Sequence, residues 1–263
     1  KETQIDTKSY DPLSLYGLLT EMRLFEEHNT NSSLDFLKKL SKNEEVENFT
    51  MVLAHSQLQG KGQRGATWSS EAGKNVIMSV LLKEVLVSKD QLFDLNVLIS
   101  VAVLEVLEAY QISNLHIKWP NDIMSDSKKI GGILIENSLK TDNSIVSILG
   151  IGLNVNQTDF SSLPKASSLL NCTGSIFDVE LLAEAIRQKI HDLVLTLSNG
   201  SDRFWKKYHE KLFKKGVPMA FESQNKHRFM GIIKGVTPIG KLELLLEDDS
   251  VSEYEIKEIQ MLY

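Results

Sequence analysis

The sequence predicts an α+β fold: a mixed β-sheet packed by helices, followed by a small all-β module. Three observations predict it. Short apolar runs over 51–54, 76–82, 115–118, 130–137 and 144–155 are separated by turn-forming residues such as Asn121-Asp122 and Ser125-Asp126-Ser127. Between them, 92–110 places Leu95, Leu98, Ile99, Ala102, Val103 and Val106 at helical spacing. From Val217 on, runs at 219–222, 229–233, 242–246 and 254–256 are divided by Gly235, Pro238-Ile239-Gly240 and Asp248-Asp249, the pattern of a small β-barrel.

In chain order, residues 1–21 read as an extension or tag-like segment, with no signal peptide. Residues 22–215 form the main domain and 216–263 the β-barrel module. A short helix over 32–40 carries Leu34, Phe36 and Leu37. The strands at 51–54 and 76–82 flank a glycine-rich loop. Helices are expected at 179–198 and 203–212. The 263 residues are 42% hydrophobic, sufficient for a main core and a small second domain.

Composition excludes several classes of function. The net charge of −6 argues against DNA or RNA as principal partner, because a nucleic-acid footprint is basic. The richest apolar window, 95–107, is short and contains Ser100 and Glu105, so it reads as a core helix rather than a membrane span. The single cysteine, Cys172, rules out an intrachain disulfide framework and fits a reducing cytoplasm. It reads as a small apolar residue. No histidine, cysteine and carboxylate spacing suggests zinc.

Four segments carry chemistry. Gly60-Lys61-Gly62-Gln63-Arg64-Gly65, followed by Trp68, combines glycines that let an anion approach with cations that neutralise it. The spacing satisfies G-x-G-x-x-G, and Glu84 stands where a ribose-binding carboxylate would. Residues 68–75 nevertheless hold too many breakers for the helix that motif requires. A Walker motif also fails, since no Gly-Lys-Ser or Gly-Lys-Thr sits at the required place. Lys118-Trp119-Pro120-Asn121-Asp122 ends a strand at Pro120 and presents Asn121 and Asp122 at its tip. Lys128-Lys129-Ile130-Gly131-Gly132 sets two lysines at the mouth of an apolar strand. Paired glycines there weaken the strand unless a backbone or ligand comes close. Gly150-Ile151-Gly152-Leu153-Asn154 repeats glycines and an amide at another strand end.

Taken together and in this order, these segments resemble biotin protein ligases, from about Leu24 to the C-terminus. Asn29-Thr30-Asn31 is similar to that family's Ser-Thr-Asn segment. The resemblance implies the class II synthetase-like biotin/lipoate ligase fold, with 22–215 as the catalytic domain and an SH3-like β-barrel after it. The family commonly carries arginine where Lys61, Gln63 and Ala66 stand, and serine at Asn29. The segment ahead of Leu24 is too short for the winged-helix repressor domain some members carry, so no DNA partner is expected.

The resemblance also implies a reaction. ATP, with Mg2+, activates biotin to biotinyl-5′-AMP, and a lysine of a biotin carboxyl carrier protein then takes the biotin. Two anions must meet in the first step, so fixed cations are needed. Lys61, Arg64 and Lys129 are the candidates, with Lys129 bridging the biotin carboxylate and the α-phosphate. Arg64 has a structural alternative, pairing with a carboxylate. Asp122 would accept the proton of the incoming lysine, its alternative being to cap the turn. Biotin contacts are assigned to Asn29, Thr30, Asn31, Gln57, Gly60, Lys61, Gly62, Gln63, Trp68, Lys129, Gly131 and Gly132. Nucleotide contacts are assigned to Lys61, Arg64, Trp68, Asn121, Lys129 and Asn154, and no metal site is built from protein ligands alone. Trp68 and Trp119 would wall the apolar part of biotin. The glycine loop is expected to be a lid, since Lys61 and Arg64 have little reason to pack without an anion. Alternation over 144–155 is compatible with an edge-strand homodimer. Two other readings stay open: a lipoate or octanoate ligase of the same fold, and a non-enzymatic biotin sensor.

Overall fold

From Leu24 the chain runs β1 (Leu24–Thr30), α1 (Ser33–Asn43), β2 (Met51–Gln57), β3 (Gly60–Lys61), β4 (Thr67–Trp68) and β5 (Asn75–Lys83). Next come α2 (Leu92–Ala109), β6 (Leu115–Lys118), β7 (Asp122–Ser125), β8 (Lys128–Leu139) and β9 (Ile145–Asn154). Three helices follow, α3 (Leu169–Thr173), α4 (Val179–Leu195) and α5 (Asp202–Glu210). The chain closes with β10 (Pro218–Ser223), β11 (Arg228–Val236), β12 (Leu242–Leu246), β13 (Val251–Tyr254) and β14 (Ile259–Leu262). This computed structural model describes residues 24–43, 46–86, 88–197 and 200–263, without the side chains of Leu24, His28 and Arg64. The segment 1–21 lies outside the described residues.

Seven strands form one sheet in the order β1-β2-β5-β9-β8-β7-β6. Only β1 and β2 pair in parallel, joined by the crossover helix α1 as parallel neighbours require. β5 is buried at every position but its last because both sheet faces are covered. On one face Val52, Leu81 and Ile148 pack with Leu34 and Leu37 of α1. On the other, Met51, Val80, Leu82 and Leu149 join α2 and α4 in the main core. α2 is buried nearly all round, which is why its apolar residues exceed a single stripe.

Five strands have no counterpart in the sequence reading: β1, β7, β14 and the two-residue β3 and β4 of the glycine loop. β1 carries Glu26 and Glu27, charges typical of a sheet edge, and so lacks an apolar signal. β7 was read as turn, yet it pairs with β6 through Lys118↔Asp122 and makes 118–122 a tight hairpin. The expected run at 254–256 overlaps the end of β13, and β14 lies beyond it. The edge expected of 144–155 does not exist, because β9 is paired along its length with β5 and β8. Its alternation reflects two covered faces, not a free side. Cys172 is exposed on α3 rather than packed as an apolar residue.

The C-terminal strands form a five-stranded antiparallel sheet, β13-β12-β11-β10-β14. Among the described residues no ladder joins β13 to β14, and the five-stranded sheet is consistent with the expected SH3-like module. Its apolar face, with Phe221, Ile233, Leu242 and Leu244, continues the core of the main domain. At the junction the Trp119 indole donates to the Gly240 carbonyl at 2.9 Å. A Cβ on Gly240 would sit 2.2 Å from Phe93, so only glycine permits that approach. His209 lies against the backbone of Val236, and burial pushes its imidazole pKa down. α5 is held to α2 by Trp205, which donates to Asp94 at 2.6 Å, and by Lys207, paired with Glu105 and Glu108.

Candidate active site

A cavity of about 500 Å3 opens where the glycine loop, the β6–β7 hairpin, β8, β9 and the C-terminal sheet meet. Gly132, Gly150 and Gly152 line one side with Ile77 and Met78 of β5. Gln57 and residues of the 60–68 loop line another, and Ile256, Lys257, Ile259, Gln260 and Met261 a third. The Trp68 indole lies directly on Gly152. A Cβ there would be 2.6 Å from the ring, so the glycine exists to let the indole down.

The charged centre is one carboxylate between two ammonium groups. Lys129 Nζ is 2.6 Å from Asp122 Oδ1, and Lys118 Nζ is 3.4 Å from Asp122 Oδ2. Lys129 also lies 5.6 Å from the centre of the Trp68 ring. Backbone geometry makes this arrangement. Asp122 faces Gly132 across the β7–β8 ladder, and a register shift between Ile123 and Met124 brings Lys129 opposite Met124. The segment 165–167 braces Lys129 through the Lys129 amide to the Lys165 carbonyl and the Ser167 amide to the Lys129 carbonyl. The hairpin turn, which includes a cis Trp119–Pro120 peptide, is braced by Asn96 Nδ2 to the Pro120 carbonyl at 2.8 Å.

The glycine loop is a ribbon, not a strand-to-helix turn. Gly60 pairs with Trp68 and Lys61 with Thr67, while Gln63–Gly65 makes one 3-10 turn between them. A turn at 71–74 and the antiparallel β5 follow, which agrees with the rejection of a dinucleotide motif. Lys61 does have an anion to pack against: its Nζ is 2.7 Å from Asp35 Oδ1 on α1, a contact across 26 positions of sequence that no local pattern announces. Trp68 Nε1 is buried without a hydrogen-bond partner among the described residues.

The structure thus brings together Gln57, Lys61, Gly62, Gln63, Trp68, Asn121, Asp122, Lys129 and Gly132 around one cavity. Asn29, Thr30, Asn31, Gly60, Gly131 and Asn154 do not line it. Asn29 accepts a hydrogen bond from Ser56, and Thr30 and Asn31 accept from the backbone of Leu58 and Gln59; their neighbours Ser32 and Ser33 line the cavity instead. Gly60 and Gly131 support the cavity wall without lining it. Asn154 is buried and donates to the Ser167 carbonyl at 2.9 Å. Asn121 Nδ2 donates to the Ile133 carbonyl. The side chain of Arg64 lies outside the described residues. Sequence reasoning missed Lys118 as a site residue although it belongs to a quoted motif. It also missed Asp35 and the 256–261 segment, which carry no local signal. Among the described residues no three histidine, cysteine or acidic side chains are grouped to hold a metal.

Comparison with known proteins agrees with this architecture. Residues 24–156 match the Biotin/lipoate A/B protein ligase family, and the chain belongs to that family. It is 34% identical over 171 residues to the bifunctional ligase/repressor BirA of Bacillus spizizenii, covering 62% of this chain and 52% of that protein. The chain thus spans about half the length of the curated relatives it matches first. The biotin–[acetyl-CoA-carboxylase] ligase of Mycobacterium tuberculosis is 24% identical over 215 residues, covering 81% of this chain and 79% of that one. The biotin protein ligase from Aquifex aeolicus in complex with biotin and ATP superposes with a TM-score of 0.75. It is 23% identical and the match covers 91% of this chain and 98% of that one, a likeness of fold.

Proposed function

We propose that this chain is a biotin protein ligase that makes biotinyl-5′-AMP from biotin and ATP and passes biotin to a lysine of a carboxyl carrier domain. The observation that carries the reading is the Lys118–Asp122–Lys129 cluster on a glycine-lined cavity. Membership of the biotin/lipoate ligase family, and relatives named for biotin, support it.

In the first step a biotin carboxylate oxygen attacks the α-phosphorus of ATP, and pyrophosphate leaves. Lys129 offsets the repulsion between the two anions as they meet. Lys61 and Arg64 are the further cations of the loop. In the second step the carrier's lysine amine attacks the acyl carbon, the acyl–phosphate bond breaks and AMP leaves. Asp122 orients the amine and takes its proton. The apolar wall and the Trp68 ring suit the ring system of biotin, and the covering loop excludes water from the mixed anhydride. No protein metal site is invoked; magnesium would arrive on the nucleotide's phosphates. The partner proposed is the biotin carrier domain of a biotin-dependent carboxylase. A cytoplasmic location fits that partner, and no described helix is long and apolar enough to cross a membrane.

The test is pyrophosphate release with ATP and biotin, lipoate or octanoate in turn, followed by transfer to a carrier domain. Release with biotin alone is expected. Release with lipoate alone would reassign the substrate, and biotin binding without release would leave a sensor.

A further inference from the structure

Two ammonium groups lie over the Tyr263 ring. Lys165 Nζ lies 4.5 Å and Lys118 Nζ 5.3 Å from its centre, both within cation–π range. Its position is set from two sides. β14, paired with β10 through Ala220↔Leu262, carries the chain to it, and Phe213 packs edge-on at 5.3 Å. Phe213 in turn is tied to β6 by its amide, which donates to the Ile117 carbonyl at 2.9 Å. Lys118, the residue after Ile117, contacts Asp122 Oδ2, and Asp122 Oδ1 contacts Lys129. Lys165 belongs to the segment whose backbone braces Lys129.

Two like charges do not converge on one ring without a reason for each to stay. The negative face of the ring offsets part of their repulsion, and Asp122 holds Lys118 from the other side. We infer that Tyr263 is a positioning residue: it aims Lys118 at Asp122, and so couples the C-terminal sheet to the carboxylate that receives the carrier lysine. Without the ring, Lys118 swings to solvent and Asp122 pairs with Lys129 alone. The carboxylate, held through one oxygen only, is then less well oriented toward the incoming amine. The inference rests on the ligase reading above.

The experiment measures both half-reactions for Tyr263→Leu, Tyr263→Phe, Lys118→Met and the Leu/Met double variant, with melting temperatures alongside. Tyr263→Leu should slow transfer from preformed biotinyl-AMP about tenfold, the scale of a partly desolvated cation–π contact. Pyrophosphate release should change less than transfer. Tyr263→Phe keeps the ring face and should stay near wild type. Lys118→Met should match Tyr263→Leu, and the double variant should be no worse than either alone. Losses that multiply in the double variant would show that Tyr263 does not act through Lys118. Equal loss in both half-reactions with a lower melting temperature, unrescued by phenylalanine, would reduce Tyr263 to a structural residue. An active wild type indifferent to Tyr263→Leu sinks this inference alone. A wild type that releases no pyrophosphate with biotin sinks the ligase reading and this inference together.

Discussion

The 60–68 loop and the 118–122 hairpin border the same cavity but are held by different forces. The loop rests on a two-residue ribbon and an ion pair, Lys61–Asp35, whose side chains are 46% and 44% exposed. Such a pair is worth about 1 kcal/mol or less. The hairpin is held by buried groups: Asn96 and Tyr208 on the Pro120 carbonyl, Trp119 on Gly240, and Asn121 on Ile133. Each buried bond costs more to lose than an exposed one, because the orphaned partner cannot turn to water. The difference suits the work proposed for each. Groups that meet the reacting atoms sit on the rigid side, and the cover that must open and close sits on the other.

The largest effect should come from the rigid side. Lys129→Ala is expected to lower pyrophosphate release by about 10²–10³, the usual loss for a preorganised transition-state donor, while the chain still folds. Release near wild type would remove Lys129 from that role. Asp122→Asn keeps the shape of the side chain but loses its charge. It should impair carrier transfer in single turnover by about 10² and adenylate synthesis less, since general-base contributions start near that value. Equal defects in both steps would contradict a role confined to the second.

A smaller effect tests the bracing. Trp119→Phe orphans the Gly240 carbonyl at the domain junction, at a cost of about 1–3 kcal/mol. A melting temperature lower by several degrees is expected, and an unchanged one would mean the junction is not held there. The smallest effect belongs to the loop. Asp35→Ala should raise the rate of trypsin cleavage after Lys61 by no more than about fivefold, because the exposed pair contributes at most about 1 kcal/mol. Biotin with ATP should protect that bond in both proteins. Cleavage equally fast with and without ligands would refute a lid.

Much of this was legible before the structure. The order of strands and helices followed from apolar runs and turn residues, and α2 and β12 fall almost where their patterns placed them. The motifs also converge in the fold, since most of the cavity lining near Lys129 comes from them. Less visible was anything carried by charged or short strands. β1 and β7 have no apolar run long enough to read, and both are made by pairing.

The local pattern by itself determined that glycines, cations and amides would gather at strand ends, because those residue types are costly inside strands and useful at their tips. It did not determine which of them would face a ligand. Asn121 and Asn154 sit in motifs like Lys129 does, yet their side-chain amides each donate to a backbone carbonyl 12 or 13 positions away. The pairing of Lys61 with Asp35, the two lysines on Tyr263, and the C-terminal sheet that walls the cavity with 256–261 were decided only by tertiary packing. Local sequence sets backbone preference and side-chain chemistry, but a contact between distant segments depends on how whole sheets bury their apolar faces. In this chain that burial presses the C-terminal sheet onto the main core and completes the site.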